Sequence, residues 1–548
     1  MTDTGETDWF KVFLGFGGMV IGQFMAVLDV QIVASSLAQI QAGVGASSDE
    51  ISWVQTIYLL AEVVMIPLTA YFSKMWGTRP FFMAATVTFI FASILTGLST
   101  TFEMMIFTRA LQGLAGGAMI PQVFSAAMTI FPAERRITAN VVVGLIVTLA
   151  PTVGPTIGGH LTDAFGWRWL FYINVIPGLL SLFLVSRYAN FDKGDPSLAK
   201  GIDWTGLVLM AAFLLSMQYV LEEGASEGWF RDDAILWLCV LVVISGTAFA
   251  WRQLTYRQPI VSLAPFGDRN FVLGSMMNFV SGMSLYSGTF VLPLYLAQIR
   301  GYSPGQVGTT MLVSGLTMFL SAPIAGRVIR ALDLRVGMVL GFSLVGIGLG
   351  QGIHVGPGWG FNEFLVLQMC RGLGAMIAMI AASQMSISTI PLPMMKDASG
   401  LLNLIRNVGG AVGLAMVTTI LGKMSAVHRG ELAASLNSGS IEAQEMMVQL
   451  QAMMQSAGAL NPEGGMRKMM GMMLGREALV MAFADVFMFL TVGCAIAAAL
   501  ALLARPAPPT PPPPGDGGHC CRGLPDRSTR PRARPSWTPP SRCWPREP

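Results

Sequence analysis

Apolar runs of about twenty residues recur along most of the chain, and no other feature constrains its fold so tightly. A helix of that length crosses about 30 Å of hydrocarbon. In hydrocarbon only helices or closed barrels satisfy every backbone polar group, and runs that are continuous rather than alternating select the helix. Of the 548 residues 12% are charged and 53% hydrophobic, against roughly 25% charged in an ordinary soluble domain. The expected fold class is therefore an all-α polytopic membrane protein in a lipid bilayer. The first run, near 10–37, is too long for a signal-peptide core and has no basic flank before it, so it reads as the first span.

Fourteen spans are expected, near 10–37, 51–73, 80–99, 104–128, 139–160, 168–186, 205–222, 234–254, 271–297, 306–330, 335–354, 361–390, 399–424 and 479–504. Lys and Arg in the connections give the orientation. One side carries Lys11, Lys74, Arg79, Arg135, Arg136, Arg187, Lys193, Lys200, Arg252, Arg257, Arg269, Arg327, Arg330, Arg335 and Lys396, while the short loops of the other carry only Arg168, Arg231 and Arg300. The basic side is expected in the cytoplasm with both termini. Residues 425–478 read as a Met- and Gln-rich outer loop, partly helical, and the Pro-, Gly- and Arg-rich tail 505–548 as disordered.

Net charge is +3, but the tail holds eight Arg and three acids, which leaves the remainder at −2 and gives no indication of nucleic-acid binding. Cys239, Cys370 and Cys494 fall in apolar runs and read as buried small hydrophobes. No cysteine spacing matches a zinc site or a disulfide framework. The run Met466-Arg-Lys-Met-Met-Gly-Met-Met473 offers soft sulfur to Cu(I) but reads better as an amphipathic loop, so no metal is expected. GxxxxGK[ST] is absent, and no nucleotide or other cofactor is expected.

The halves echo each other. Pro67 and Arg79 stand twelve apart after the second span, as do Pro323 and Arg335 after the tenth. Arg109-Ala-Leu-Gln-Gly113 has a counterpart in Arg371-Gly-Leu-Gly374. Offsets of 256 and 262 residues imply parallel halves of six helices each, related by an axis along the membrane normal. The expected division is an N-terminal bundle over 1–200, a two-helix insert over 201–265 and a C-terminal bundle over 266–504.

Several stretches carry a family resemblance. Ala150-Pro-Thr-Val-Gly154-Pro155-Thr-Ile-Gly158-Gly159 breaks a helical ladder with proline and lets helices bend and approach through glycine. Gly166-Trp-Arg-Trp-Leu-Phe-Tyr-Ile-Asn174, Leu28-Asp29-Val-Gln-Ile-Val33 and Asp397-Ala-Ser-Gly-Leu-Leu-Asn-Leu-Ile-Arg406-Asn-Val-Gly-Gly410 are the other strong stretches. Together they resemble the fourteen-span drug:proton antiporters of the EmrB/QacA kind, within the major facilitator superfamily, over residues of about 10–504. That resemblance implies the major facilitator fold, with Gly154, Pro155, Gly158 and Gly159 as the antiporter motif. It also implies a gating loop at Lys74, Gly77 and Arg79, in which Ser73 stands where an Asp is often found. In relatives that act with a periplasmic adaptor and an outer-membrane channel, outer surfaces such as 425–478 are the candidate contacts.

Ionisable residues inside spans are few, and each costs roughly 2.5–3.5 kcal/mol at mid-membrane on insertion scales. From the expected span ends, Asp29 lies about 12 Å deep, Arg109 about 7–8 Å and Glu62 about 16 Å, at 1.5 Å per residue. The first two depths suit a contact if their helices are neighbours. Asp29 is read as the proton carrier, with Arg109 tuning its proton affinity, against the alternative of a permanently ionised structural pair. Glu62 is a second proton site or a counter-charge, or a neutral acid bonded to a neighbour. Gln23, Gln55, Gln112, Asn278, Tyr286 and Gln384 are candidates for a substrate cavity. The expected function is proton-coupled efflux of drugs or other toxic amphipathic compounds by alternating access, rather than enzymatic. Export of one natural metabolite, or proton-coupled import, is the alternative.

Overall fold

The computed structural model describes residues 9–34, 36–47, 50–189, 192, 194–437, 445, 447–449, 451–453 and 462–503. The tail 505–548 and the middle of the outer loop lie outside the described residues. In chain order the helices are α1 (Trp9–Ala34), α2 (Leu37–Val44), α3 (Trp53–Trp76), α4 (Thr78–Gly97), α5 (Phe102–Thr129), α6 (Ala133–Phe165), α7 (Trp169–Tyr172), α8 (Val175–Tyr188), α9 (Trp204–Glu223), α10 (Asp233–Thr255), α11 (Arg269–Gln298), α12 (Pro304–Ala331), α13 (Leu334–Gln351), α14 (Phe361–Ile387), α15 (Met395–Asn437) and α16 (Pro462–Ala501). Among the described residues 12 spans are long and apolar enough to cross a membrane, with α7 and α8 forming one of them. Helices α5 and α6, of 28 and 33 residues, bring the long segments to fourteen.

Local chemistry sets the helix ends. The Thr101 hydroxyl accepts the Met104 N–H at 3.3 Å at the start of α5, with Glu103 in the first turn against the helix dipole. Ser303 and Gln306 form a capping box around Pro304 at the start of α12. Between α3 and α4 a single residue reverses the chain. Gly77 adopts φ +89°, a conformation open to glycine, and its N–H donates to the Ser73 carbonyl at 3.1 Å.

Six helical segments (α1, α3, α4, α5, α6 and α7–α8) make one bundle, and α11 to α16 make the other. The sequence repeat appears as repeated packing. The α3–α5 contact corresponds to α12–α14, α4–α5 to α13–α14, and α1–α6 to α11–α15. Small residues set several of these crossings. A Cβ on Gly113 would stand 2.3 Å from the Tyr58 carbonyl oxygen, and one on Gly117 2.5 Å from that of Glu62, so α5 lies directly on the α3 backbone. In the second bundle a Cβ on Gly282 would meet the Arg406 carbonyl oxygen at 2.0 Å.

The bundles meet along a seam where α6 packs on α12 and α14, and α15 on α3 and α5. The hairpin of α9 and α10 leans on this assembly through α9, which touches α3 and α15. Asp203 fastens its base: one oxygen caps α9 by accepting the Gly206 N–H at 2.9 Å, and the carboxylate pairs with Arg252 of α10 at 3.0 Å. Helix α10 carries a largely apolar exposed surface, with Trp237, Val243 and Ile244 all more than half exposed, as a lipid-facing helix requires. At the far end α15 and α16 run on beyond the expected spans 399–424 and 479–504. Their 43 and 40 residues are roughly 60 Å each at 1.5 Å per residue, twice what hydrocarbon needs. The described ends of the 425–478 loop are thus continuations of these two helices. The expected first span, 10–37, ends early at Ala34, and the separate turns of α2 follow it from Leu37.

Candidate functional site

Asp29 of α1 and Arg109 of α5 meet inside the first bundle, with 2.5 Å between Oδ2 and Nη1 and neither side chain exposed. The same Nη1 donates to Gln112 Oε1 at 2.8 Å, one turn along α5. Gln112 turns its amide nitrogen to Asp29 Oδ1 at 2.9 Å and to Ser93 Oγ of α4 at 2.8 Å. Asn174, between α7 and α8, donates its amide nitrogen to Asp29 Oδ1 at 2.7 Å. Arg109 Nε donates to the Val54 carbonyl at 3.0 Å, and its guanidinium lies 4.4 Å from the Tyr58 ring centroid.

One carboxylate thus receives three donors, two from α5 and one from an inter-helix turn. The two amides take both lone pairs of Oδ1 and Arg109 takes one of Oδ2. A proton arriving on Oδ1 must therefore displace an amide, while one arriving on Oδ2 enters beside Arg109 and removes the charge that attracts it. The space for the pairing comes from glycine. Gly113 and Gly116 admit Tyr58 against α5, where a Cβ on Gly116 would lie 2.3 Å from the Tyr58 hydroxyl. Val54, Tyr58 and Glu62 repeat every four residues and share one face of α3. Glu62, 8% exposed, is the next turn along the face that holds Arg109.

The depth argument from sequence thus placed Asp29 and Arg109 within reach of each other, and the structure brings them into contact. Asn174, Ser93 and Tyr58 went unrecognised as members of the cluster. Their signal was weak but present: Asn174 ends the Gly166–Asn174 stretch, and Ser93 stands with Thr86 and Thr96 among the buried hydroxyls of α4. Gln112 belongs to the charge cluster. Gln23 is fully buried in α1, with neither amide atom bonded among the described residues. Gln55 is half-buried on α3. Asn278 donates to the Gly274 carbonyl at 2.9 Å and accepts from Ser383 at 3.2 Å, while Tyr286 donates to Asn407 at 3.3 Å. Gln384 keeps an unbonded amide nitrogen. These candidates are spread over both bundles rather than converging on one chamber.

The antiporter-motif residues lie within α6, Pro155 with its side chain outside the described residues. A Cβ on Gly154 would meet the Gln31 Cβ at 2.6 Å, two residues from Asp29, while Gly308 of α12 comes against Thr156. Gly158 is buried, and Gly159 has open space around it. The motif therefore sits where one helix touches the acid-bearing α1 on one side and the opposite bundle on the other.

At the basic end, Lys74 pairs with Asp397 of α15 at 2.5 Å. Lys396 pairs with Asp192 and also donates to the Ser73 carbonyl at 3.3 Å. Asp192 further accepts from the Thr78 N–H and hydroxyl at 2.9 and 3.1 Å, while Arg79 donates to the Ser186 carbonyl. The junction of α3 and α4, with Ser73 in the last turn of α3, thus receives carboxylates from α15 and from the segment after α8. The two ion pairs are reciprocal, each bundle supplying one lysine and one aspartate.

Two equivalent six-helix bundles packed along a seam, with an ion pair buried in one of them, define a polytopic membrane protein of the secondary-transporter class. Residues 19–414 match the Major Facilitator Superfamily, and the chain belongs to that superfamily as a transporter of the EmrB type. It is 37% identical over 443 residues to the "Colistin resistance protein EmrB" of Acinetobacter baumannii, covering 81% of this chain and 86% of that protein. It is 29% identical over 418 residues to the "Multidrug export protein EmrB" of Haemophilus influenzae, covering 76% and 82%. In overall fold it is similar to the crystal structure of the human organic anion transporter MFSD10, with a TM-score of 0.53 at 12% identity, over 88% of this chain and 99% of that one.

Proposed function

We propose that the chain exports drugs or other toxic amphipathic compounds across a bacterial inner membrane in exchange for protons, by alternating access. The observation that carries this reading is the buried Asp29 cluster, in which the carboxylate charge is what holds Arg109, Gln112 and Asn174 together. Protonation removes the charge that attracts Arg109 and loosens α1 from α5. Helix α6, wedged between α1 and α12, transmits that change to the seam. Glu62, on the same face of α3, is the second acid along the path.

The side rich in Lys and Arg faces the cytoplasm under the positive-inside rule, which places both termini there. Lys74–Asp397 and Lys396–Asp192 then close the cytoplasmic end, and Gly77 is the hinge beside them. We assign residues 1–200 and 266–504 to the two moving bundles and 201–265 to the inserted hairpin. The projecting ends of α15 and α16, on the opposite side, are the surface for a periplasmic adaptor leading to an outer-membrane channel. Relatives named for multidrug and colistin resistance support an amphipathic substrate range.

The test is counterflow in proteoliposomes with a fluorescent amphipathic dye outside and a pH-sensitive dye inside. Wild-type protein is expected to couple dye movement to proton movement, and Asp29→Asn to uncouple the two. Proton-driven transport by Asp29→Asn at the wild-type rate rejects the assignment.

A further inference from the structure

The buried charges of the two bundles are of different kinds. In the first, Arg109 has Asp29; in the second, Arg371 and Arg406 are 6% and 4% exposed and have no carboxylate in ion-pair range among the described residues. Arg371 Nη2 donates to Ser314 Oγ at 2.9 Å. Arg406 Nη2 donates to Asn403 Oδ1 at 2.5 Å, its guanidinium lies 4.5 Å from the ring centroid of Phe124 across the seam, and its Nε has no partner among the described residues.

Arg406 is also the one residue in the walls of both described cavities, each about 20 Å³. The first lies inside the second bundle. Its polar lining is Arg406, Ser284 and Ser281, whose hydroxyl is buried and unbonded among the described residues; the rest is apolar, including Leu285, Met318, Phe342 and Val345. Close approach of α15 to Gly282 holds the Arg406 backbone beside Ser281. The second cavity lies at the seam, where Asn278, Ser383 and Asn403 face Phe124 and Leu402. An unpaired guanidinium with a spare donor, a second spare donor beside it and an apolar wall beyond suits one chemistry: an anionic head on an apolar body.

We propose that Arg406, with Ser281, is the anchor for the anionic group of amphipathic substrates. This rests on the transporter reading above and narrows its substrate class to amphipathic anions. In the closed arrangement the face of Phe124 covers the guanidinium. Opening of the seam removes that ring and exposes Arg406 to a carboxylate, sulfonate or phosphate, whose apolar body then lies along Leu285, Met318 and Phe342. A guanidinium binds such groups through two parallel N–H donors, so lysine reproduces the charge without the fork.

The test is equilibrium binding to the full chain in lipid nanodiscs, with empty nanodiscs subtracted and no proton gradient. The probes are dansyl-undecanoate and its uncharged twin dansyl-undecanol. The wild type is expected to bind the carboxylate about tenfold or more tightly than the alcohol. Arg406→Gln is expected to bring carboxylate binding down to the level of the alcohol, and Arg406→Lys to restore part of the preference. Equal binding of both probes by the wild type overturns the proposal, as does a preference that survives in Arg406→Gln. If Arg406→Gln does not yield monodisperse protein, the wild-type comparison decides alone. With no gradient present, loss of the preference concerns the anchor only; failure of proton exchange appears instead as uncoupled counterflow in liposomes with the preference intact.

Discussion

Asp29 shows how a membrane interior can hold a charge without solvent. Its two oxygens accept from an arginine and two amides, and the arginine is itself bonded to the Val54 carbonyl and stacked on Tyr58. Such a group is costly to break from one side: removing one partner of a buried pair destabilises by about 3–5 kcal/mol, because the other charge is left alone. Arg109→Gln is therefore expected to lower the melting temperature of the detergent-solubilised protein more than Asp29→Asn/Arg109→Gln does. A double-mutant cycle is expected to give a coupling energy of about 1–3 kcal/mol. Strictly additive single substitutions reject an energetic role for the pair. Arg406 presents the contrary case, a buried guanidinium whose nearest polar partners are neutral, and for that reason it is the residue assigned to a substrate's charge.

At the scale of the element, glycine does more than hydropathy to specify the site. Helix α5 approaches the α3 backbone because Gly113, Gly116 and Gly117 present no side chain on that face. Gly113→Val inserts carbon where the Tyr58 carbonyl oxygen stands and forces α5 away from α3, which separates Arg109 from the Val54 carbonyl. Overpacking of this kind costs about 1–3 kcal/mol. The expected outcome is a lower melting temperature together with loss of coupled transport, measured on the same preparation. Gly159→Ala serves as the comparison, since no atom lies within 4 Å of its built Cβ, and its melting temperature is expected to be unchanged. If Gly113→Val melts and transports as the wild type does, close α3–α5 packing is not what supports the site.

For the whole molecule, the relevant energy is that between arrangements of the two bundles. At the basic end it includes two reciprocal ion pairs, Lys74–Asp397 and Lys396–Asp192. With Lys74 31% exposed, solvent screens its pair, and each is expected to contribute no more than about 1 kcal/mol. That is enough to shift a two-state population several-fold. Asp397→Asn/Asp192→Asn is expected to lengthen the distance distribution between spin labels at Arg135 and Arg327, which lie at this end of α6 and α12. Raising the salt concentration is expected to do the same, to a smaller degree, in the unmodified pairs. An unchanged distribution in the double variant removes the ion pairs from the closing mechanism.

Much was determined by the sequence alone. Crossing hydrocarbon is a local requirement on about twenty consecutive residues and their backbone groups, so the long helices and all-α class were legible from Trp9 to Leu503. The repeat between Arg109 and Arg371 was legible for a similar reason, since equivalent helices keep equivalent small residues where they cross. Insertion cost singled out Asp29, Arg109 and Glu62, and span geometry set the first two at matching depth. Tertiary structure decided which charges meet. Each residue along a helix turns the side chain by about 100°, so helix rotation and the close approaches at Gly113, Gly154 and Gly282 determine which side chains face one another. Only the packed chain placed Asn174 and Ser93 with Asp29, brought Asp192 to the junction of α3 and α4, and left Arg406 beside two cavities without an acid. Apolarity commits a segment to the membrane, but it carries no information about rotation within it.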